Sequence, residues 1–444
     1  MTKAPQIAGI MSPSRRLTTA HRAGVPGGGA GGPLREGSPV HIPGRSEAWG
    51  DERVPPDEVC VSLHSLELAN LGVRRAQVHE QIEEILDVKE RRGHAYCMWL
   101  AVLTMIYTGD IVSAHEQCRR LARDPRWTKG PRHQELLTLM RARVSLLAGD
   151  GVKAAVLLGE ALAYGLPGSL TGLAVAWLVE ARILAGDLDQ GHAVLLRHDL
   201  AGRLDPGIPD LPHILAARGA LHTATGHFQH ALDDLMLCGR ALTARGVANP
   251  AVIPWRSRAT FAALATRRGD LALALAEDEL TAARTWGSPR GVGLALHAVA
   301  VARRDDTSVP LLEEAVELLD LAHARAELVH ALHDLATLQT EGADRSAARG
   351  RLEEAAEVAR ESRNGLWPAR LEAALERQDG PTLTSQELRI GQLAQAGYSN
   401  RQIADTLFLA VRTVEFHLSS VYRKLRIAGR RDLHKVLGSM SPPQ

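Results

Sequence analysis

Apolar residues recur at three- and four-residue steps from about Asp57 to Leu375, in segments rich in Ala, Leu, Glu and Arg. Gly and Pro stand mostly between these segments, so the pattern predicts a long series of amphipathic helices. Residues 1–55 lack this periodicity and are rich in Gly, Pro, Ser and Arg. We therefore predict a disordered leader over residues 1–55, or an upstream start codon, and an all-α domain over residues 56–376.

A turn motif recurs along this helical region: a Gly-Asp pair, or a degenerate copy, followed four residues later by a small residue. The Gly can end one helix with a positive φ, the Asp can cap the next, and the small residue lets the two helices approach closely. One pair of helices cannot bury its apolar face alone, so the repeat predicts a solenoid of stacked pairs that resembles tetratricopeptide repeats. A helical bundle whose turns use Gly-Asp is the alternative. The small residues, 36 to 43 positions apart, are Ala114, Ala154, Gly191, Ala231, Ala274, Pro310 and Ala348.

Residues 377–444 form a separate C-terminal domain in this interpretation, after a break at residues 377–381. Thr384 with Glu387, and Ser399 with Gln402, fit capping boxes that begin two helices, and Gly397 lies between them. The predicted helices span about 384–396, 399–407, 411–425 and 430–437. A short helix, a tight turn and a longer helix with basic residues is the layout of a helix-turn-helix.

The predicted helix over residues 411–425 has two distinct faces at about 100° per residue. An exposed Phe between two Arg is unexpected on a small domain that stays alone, but it fits a DNA-reading surface. There Arg can contact phosphate or guanine, Phe a thymine methyl, and Glu415 the cytosine amino group. The apolar face carries Val414, Leu418, Val421 and Leu425, and the opposite face carries Arg412, Phe416, Ser419 and Arg423.

The C-terminal domain resembles the LuxR-type (NarL/FixJ-like) DNA-binding domain. That resemblance implies that helix 411–425 enters the major groove and that the fourth helix joins two copies on a two-fold DNA site. It also implies base contacts at Glu415, Phe416 and Ser419, and backbone contacts at Asn400, Thr413 and Lys424. The matching positions are Leu383-Thr384, Glu387, Gly397, Ser399-Asn400, Ile403-Ala404, Leu407, Val411, Thr413-Val414, His417-Leu418, Tyr422 and Lys424-Leu425.

Three positions depart from the family pattern. Ala410 stands where Ser or Thr usually caps the recognition helix, Arg426 where Gly often follows it, and Gly429 where Ser often caps helix four. The missing cap at Ala410 removes about 1 kcal/mol of helix stability. We therefore expect a domain of marginal stability with the family fold.

The charge distribution agrees with DNA binding by the C-terminal domain alone. Residues 381–444 carry nine basic and four acidic residues, whereas the whole chain carries 52 and 51. Four widely spaced cysteines without a Cys-x-x-Cys pair indicate reduced thiols. With neither a signal peptide nor an apolar run long enough to span a bilayer, we expect a cytoplasmic protein without membrane contact.

The order of repeats and tail resembles the C-terminal part of the large ATP-binding LuxR-type regulators of actinobacteria. Those place an ATPase domain first, but here the Gly-rich run at residues 24–33 is followed by Leu34 and lacks the Lys-Ser/Thr of a phosphate-binding loop. The resemblance implies a regulator without ATPase activity or cofactor, which contacts RNA polymerase and activates a specialised-metabolism gene set. The repeats would bind an unknown ligand or protein partner.

Other function classes find little support in the sequence. No Gly-x-Ser-x-Gly or His-Glu-x-x-His motif is present. His330 and His333 have a helical spacing compatible with metal, but no third ligand is signalled, so we predict no metal site. A sigma factor lacks its aromatic, basic promoter-melting helix here. A helical-repeat scaffold with a vestigial DNA-binding tail remains the alternative to a regulator.

Overall fold

The computed structural model describes residues 56–87, 94–166, 168–208, 210–342, 344–379, 383, 385–425 and 427–434. The fold is all-α as predicted, and no residue in these ranges lies in a strand. The predicted leader, residues 1–55, lies outside the described residues. The α-helices are α1 (Pro56–Leu71), α2 (Arg75–Asp87), α3 (Ala95–Thr108), α4 (Ile111–Leu121), α5 (Pro125–Lys129), α6 (Pro131–Leu147), α7 (Gly151–Tyr164), α8 (Gly168–Leu184), α9 (Leu188–Arg197), α10 (Leu211–Ala224), α11 (Phe228–Ala244), α12 (Trp255–Ala265), α13 (Gly269–Trp286), α14 (Pro289–Arg303), α15 (Ser308–Leu321), α16 (Arg325–Glu341), α17 (Arg345–Glu361), α18 (Pro368–Asp379), α19 (Ser385–Gln395), α20 (Asn400–Leu407) and α21 (Val411–Lys424).

Helices α6 to α17 form a helical repeat, which confirms the predicted fold class. Neighbours in sequence pack together, and the first helices of successive pairs also touch: α6 with α8, α8 with α10, α12 with α14, and α14 with α16. This two-level packing is how helix pairs share one continuous core. Helix α18 runs to Asp379, so residues 377–379, predicted to break the helical pattern, are helical.

The Gly-Asp turns close the helix pairs by the predicted mechanism. Gly109 ends α3 at a φ of 94°, and the Asp110 carboxylate accepts a hydrogen bond from the Ser113 amide at 2.9 Å to cap α4. Gly149 and Asp150 repeat this arrangement before α7. The small residues Ala114, Ala154, Ala231 and Ala348 are completely buried, so the helices approach closely at these positions.

Two copies of the motif, the Gly269-Asp270 pair and the degenerate Asp305-Asp306 pair, were predicted in the wrong register. Before α13 the left-handed residue is Arg267, at a φ of 60°, rather than Gly269, which already belongs to the helix. The buried small residue is therefore Ala272, and Ala274 is exposed. In α15, Pro310 is likewise exposed. A Gly near a turn does not mark its left-handed position when Arg can adopt that conformation at modest strain.

The repeats also meet other repeats about 180 residues away in sequence. We name these interactions the closing contacts, and three of them are hydrogen bonds to backbone carbonyls. A Cβ atom at Gly365 would overlap the carbonyl group of Ala185, so the chain requires glycine there. The closing contacts join Asn249 to Ala69, Trp286 to Tyr107, Arg325 to Gly149 and Gly365 to Leu184.

A buried carboxylate links three helices inside the repeat domain. Glu180 of α8 accepts from Arg258 of α12 at 2.6 Å and from Arg143 of α6 at 3.1 Å. Burial alone would raise the pKa of Glu180, but the two guanidinium groups lower it to about 2. Arg143 also stacks on the ring of Trp177, with 5.0 Å between the guanidinium carbon and the ring centroid. The contacts within this ion cluster were not predicted from the sequence.

A second buried carboxylate, Glu279 of α13, should make the stability of the protein depend on pH. Burial raises its pKa from 4.5 to about 7, although Arg256 and the Ser257 amide oppose the shift. Because the folded pKa lies above the unfolded one, its contribution to stability is complete below about pH 4.5 and is lost as pH rises through 7. Glu279→Gln should therefore raise the free energy of unfolding at pH 8, by on the order of 1 kcal/mol, and change it little at pH 5.

Unfolding by urea at both pH values tests this prediction. The matched control is Glu313→Gln, at an exposed position of α15. The stability difference between this variant and the wild type should be the same at pH 5 and at pH 8. Asp210, whose pKa burial also raises to about 7, preserves part of the pH dependence in the Glu279 variant. An equal change at pH 5 and pH 8 would contradict the role of the Glu279 charge.

Cysteines and apolar helices complete the description of the repeat domain. Cys97, Cys118 and Cys238 are buried and form no disulfide among the described residues, and burial raises the pKa of Cys118 and of Cys238 to about 12. The side chain of Cys60 lies outside the described residues. Among the helices described, none combines the length and the apolar character required to cross a bilayer.

Candidate nucleic-acid interface

Helices α19, α20 and α21 pack around a small core of their own. The apolar stripe predicted on α21 is buried as expected, with Val414 and Val421 completely inaccessible. Burial of this stripe fixes the rotation of α21 about its axis and so determines which side chains face outward. The core residues are Ile390, Ala394, Ile403, Ala404, Val414, Leu418, Val421, Leu425 and Leu433.

Local capping explains where α20 begins. The Ser399 hydroxyl accepts from the Gln402 amide at 3.3 Å, and the Gln402 side chain accepts from the Ser399 amide at 2.8 Å, which confirms the predicted capping box. Gly397, with a φ of 92°, ends the preceding helix as predicted. The other predicted box depends on Thr384, which lies outside the described residues.

The turn between α20 and α21 has two features that weaken its local stability. Phe408 ends α20 in the left-handed conformation, at a φ of 53°, and its side chain is 95% exposed. Ala410 occupies the N-cap of α21 without a side-chain hydrogen bond, as the sequence indicates. The fourth helix begins at Arg430 with a short 3-10 turn, and residues 435–437 of the predicted segment lie outside the described residues.

The outward face of α21 carries the predicted DNA-reading side chains. Phe416 is 71% exposed, and Arg412 and Arg423 are exposed on the same helix. Among the described residues, neither arginine forms an ion pair; Arg423 reaches only the Ser420 hydroxyl, at 3.4 Å. Glu415 and Ser419 are exposed too, while Thr413 is half-buried. This face offers two unpaired cations on either side of an accessible aromatic ring.

Two other predicted contact residues have partners inside the domain. Lys424 lies 2.6 Å from a carboxylate oxygen of Glu387, which is buried. Asn400 accepts a hydrogen bond from Arg430 at 3.3 Å through its side-chain oxygen. The structure therefore groups Arg412, Phe416 and Arg423 as open positions and places Lys424 and Asn400 in structural interactions at the edge of the same domain.

Arg430 is a structural residue that the sequence reading missed. Its guanidinium donates to the carbonyl oxygen of Ala394 at 3.2 Å and to that of Tyr398, in addition to Asn400. A cation at the carbonyl end of α19 satisfies acceptors that the helix leaves open and stabilises the helix dipole. The basic residue was visible in the sequence, but its partners lie 30 to 36 residues away.

These observations define a helical-repeat protein with a helix-turn-helix domain at its C-terminal side. Residues 381–437 match the sequence family described as "Bacterial regulatory proteins, luxR family". The chain therefore carries a LuxR-family helix-turn-helix domain, as the sequence resemblance implied. Among curated proteins, comparison finds no match to the chain.

Solved structures resemble the repeat fold at low sequence identity. A Rap protein complexed with Competence and Sporulation Factor has a TM-score of 0.54 and 11% identity, and the match covers 70% of this chain and 89% of that one. The APC/C hetero-tetramer Cut9-Hcn1 has a TM-score of 0.45 and 12% identity, with 71% and 55% covered. The apo form of RapI has a TM-score of 0.37 and 11% identity, with 77% and 99% covered. The first of these likenesses supports the helical-repeat fold.

Proposed function

We propose that the protein is a sequence-specific, DNA-binding transcription regulator that reads the major groove with α21. The observation that carries this proposal is the exposed face formed by Arg412, Phe416 and Arg423, within a segment that matches the LuxR family. The buried stripe on the opposite side of α21 holds this face outward before DNA arrives. A rigid helix with preset side chains lowers the entropic cost of binding.

Each side chain has a role that follows from its chemistry. Arg412 and Arg423 contact phosphate or guanine, Phe416 packs on a thymine methyl, and Glu415 accepts from the cytosine amino group. Ser419 serves as a polar contact to a base edge. These five residues supply the sequence-dependent part of the interface.

Backbone contacts come from residues at the edge of the face. Thr413 is half-buried near the start of α21. Lys424 has three ammonium hydrogens, so its bond to Glu387 leaves two for a phosphate. The bond from Arg430 uses the side-chain oxygen of Asn400, so its amide hydrogens stay available. Their partners inside the domain therefore pre-position Lys424 and Asn400 for phosphate.

The family resemblance also suggests where the protein acts, in which oligomeric state and on which genes. The regulator acts in the cytoplasm as a dimer on a two-fold site, recruits RNA polymerase and activates a specialised-metabolism gene set, without enzymatic activity of its own. Its domains are a leader at residues 1–55, a sensing or partner-binding domain at 56–376 and the DNA-binding domain at 377–444.

The repeats supply a binding surface for a protein or ligand. Their fold is similar to that of a Rap protein solved in complex with Competence and Sporulation Factor, which supports a partner-binding role. A scaffold whose main task is this binding is the second candidate function. Dependence of DNA selection on α21 separates the two.

Capture of genomic fragments by the purified full-length protein tests the proposal. Sequencing should reveal a shared two-fold motif that Phe416→Ala/Arg423→Ala loses. The matched control is Tyr164→Ala/Arg389→Ala, which removes an exposed aromatic ring and an exposed cation elsewhere. Enrichment of the motif should persist in this control. Equal enrichment by the wild type and the α21 variant would favour the scaffold.

A further inference from the structure

Three histidines and one aspartate converge in the repeat domain, although the sequence signalled only two of them. His330, His333 and Asp334 lie on α16, and α14 supplies His297 from 33 residues earlier. The His297 Nε2 lies 2.8 Å from the Asp334 Oδ2, and the His330 Nε2 lies 3.3 Å from the same oxygen. The α14–α16 packing therefore provides the third ligand that the sequence did not reveal.

The potential ligand atoms of this group lie close to one another. One ring nitrogen each from His297 and His330 and one carboxylate oxygen of Asp334 all lie within 4.8 Å of one another. Tetrahedral ligands at metal distances are separated by about 3.3 Å. The His330–Asp334 contact already has this length, and the His297–Asp334 contact of 2.8 Å would lengthen slightly to reach it. His333 bonds the other carboxylate oxygen at 3.0 Å and so orients the Asp334 carboxylate.

The surroundings favour a small ion over a larger ligand. Phe261 and Trp367 lie against the imidazoles on two sides, with ring centroids 4.8 and 5.2 Å from that of His330. His297 is buried at the base, whereas the His330 side chain is 37% exposed, which leaves a route from solvent.

We propose that His297, His330 and Asp334 bind a divalent first-row transition-metal ion, with His333 as the residue that positions the carboxylate. Two imidazoles and one carboxylate suit Zn²⁺, Co²⁺, Ni²⁺ or Fe²⁺ rather than Ca²⁺ or Mg²⁺. Three protein ligands leave a further position for water or an exchangeable group. The bound ion joins α14 to α16 and thereby stiffens the packing between two successive repeats.

Titration of the untagged full-length protein with Co²⁺ tests the site. We expect about one equivalent to bind, with the visible absorption of low-symmetry Co²⁺ and quenching of Trp367 fluorescence, both displaced by Zn²⁺. Asp334→Asn and His330→Ala should each weaken binding at least about 10-fold. Trp367→Phe should remove the quenching and keep the absorption.

A second histidine group in the same domain provides the matched control. His227 and His230 lie close to His222, with ring centroids 6.0 and 5.5 Å from it. His227→Ala/His230→Ala should bind Co²⁺ as the wild type does. Circular dichroism confirms that each variant is folded. His333→Ala is a further variant, at a partly exposed position where a substitution should not prevent folding. The proposal is wrong if folded wild type takes up no Co²⁺, or if binding survives in Asp334→Asn and His330→Ala.

Discussion

Phe416→Ala/Arg423→Ala is expected to lower affinity for the captured DNA motif on the order of 100-fold, because a base contact contributes about 1–3 kcal/mol and a phosphate contact adds to it. Both side chains project from the exposed side of α21, while its opposite side supplies the core. The substitutions should therefore remove the proposed contacts with DNA and leave the packing of the domain unchanged. Equilibrium titration with a labelled fragment measures the loss.

Salt dependence separates the two contributions. If Arg423 neutralises a phosphate, Arg423→Ala alone should reduce the slope of log affinity against log salt by about one unit. Phe416→Ala should leave that slope unchanged and weaken discrimination between the motif and a mutated site. The control Tyr164→Ala/Arg389→Ala should retain the motif preference. Loss of helix content in Phe416→Ala/Arg423→Ala, measured by circular dichroism, would contradict the claim that these two side chains are not needed for folding.

Glu180→Ala has the largest expected effect on stability. The substitution leaves Arg143 and Arg258 without their shared carboxylate inside the repeat domain, and breaking a buried ion cluster in this way costs about 3–5 kcal/mol. Glu180→Gln should retain part of the hydrogen bonding, so its free energy of unfolding should lie between those of the wild type and of Glu180→Ala. Urea unfolding followed by circular dichroism is the measurement, with exposed Glu160→Ala of α7 as the control.

The same carboxylate predicts a response to acid. Because the folded pKa of Glu180, about 2, lies below its unfolded value of 4.5, its contribution to stability is present above pH 4.5 and is lost as pH falls toward 2. The difference between wild type and Glu180→Gln should therefore shrink on acidification. A difference that stays constant between pH 7 and pH 3 would show that packing, rather than charge, accounts for the loss.

The helix-turn-helix was readable from the sequence because its signals are local. The capping box at Ser399 and Gln402, Gly397 and the apolar stripe of α21 all act within one or two helical turns. Exposure of Phe416 follows from the same stripe. The partners of Lys424 and Arg430 could not be predicted from the sequence, because these contacts join residues 30 to 37 positions apart.

Several features of the repeat domain could not be predicted from local sequence patterns. Intact Gly-Asp turns gave the correct register, but a plausible Gly269-Asp270 gave a register two residues late, because Arg267 occupies the left-handed position. His297 could not be joined to His330 and Asp334 without knowing that α14 packs beside α16. The closing contacts depend on small rotations accumulated over several repeats, which no single turn motif specifies.

The closing contacts change how the repeat domain should unfold. In an open array each repeat touches only its neighbours, so unfolding can start at either end and spread one unit at a time. Here the last turn of α3 is tied to the end of α13, 179 residues later, through the hydrogen bond from Trp286 to the Tyr107 carbonyl. Opening one repeat therefore breaks bonds in a distant one as well, which couples their equilibria. The domain should melt as one cooperative unit and fold slowly, since its native bonds must close very long loops.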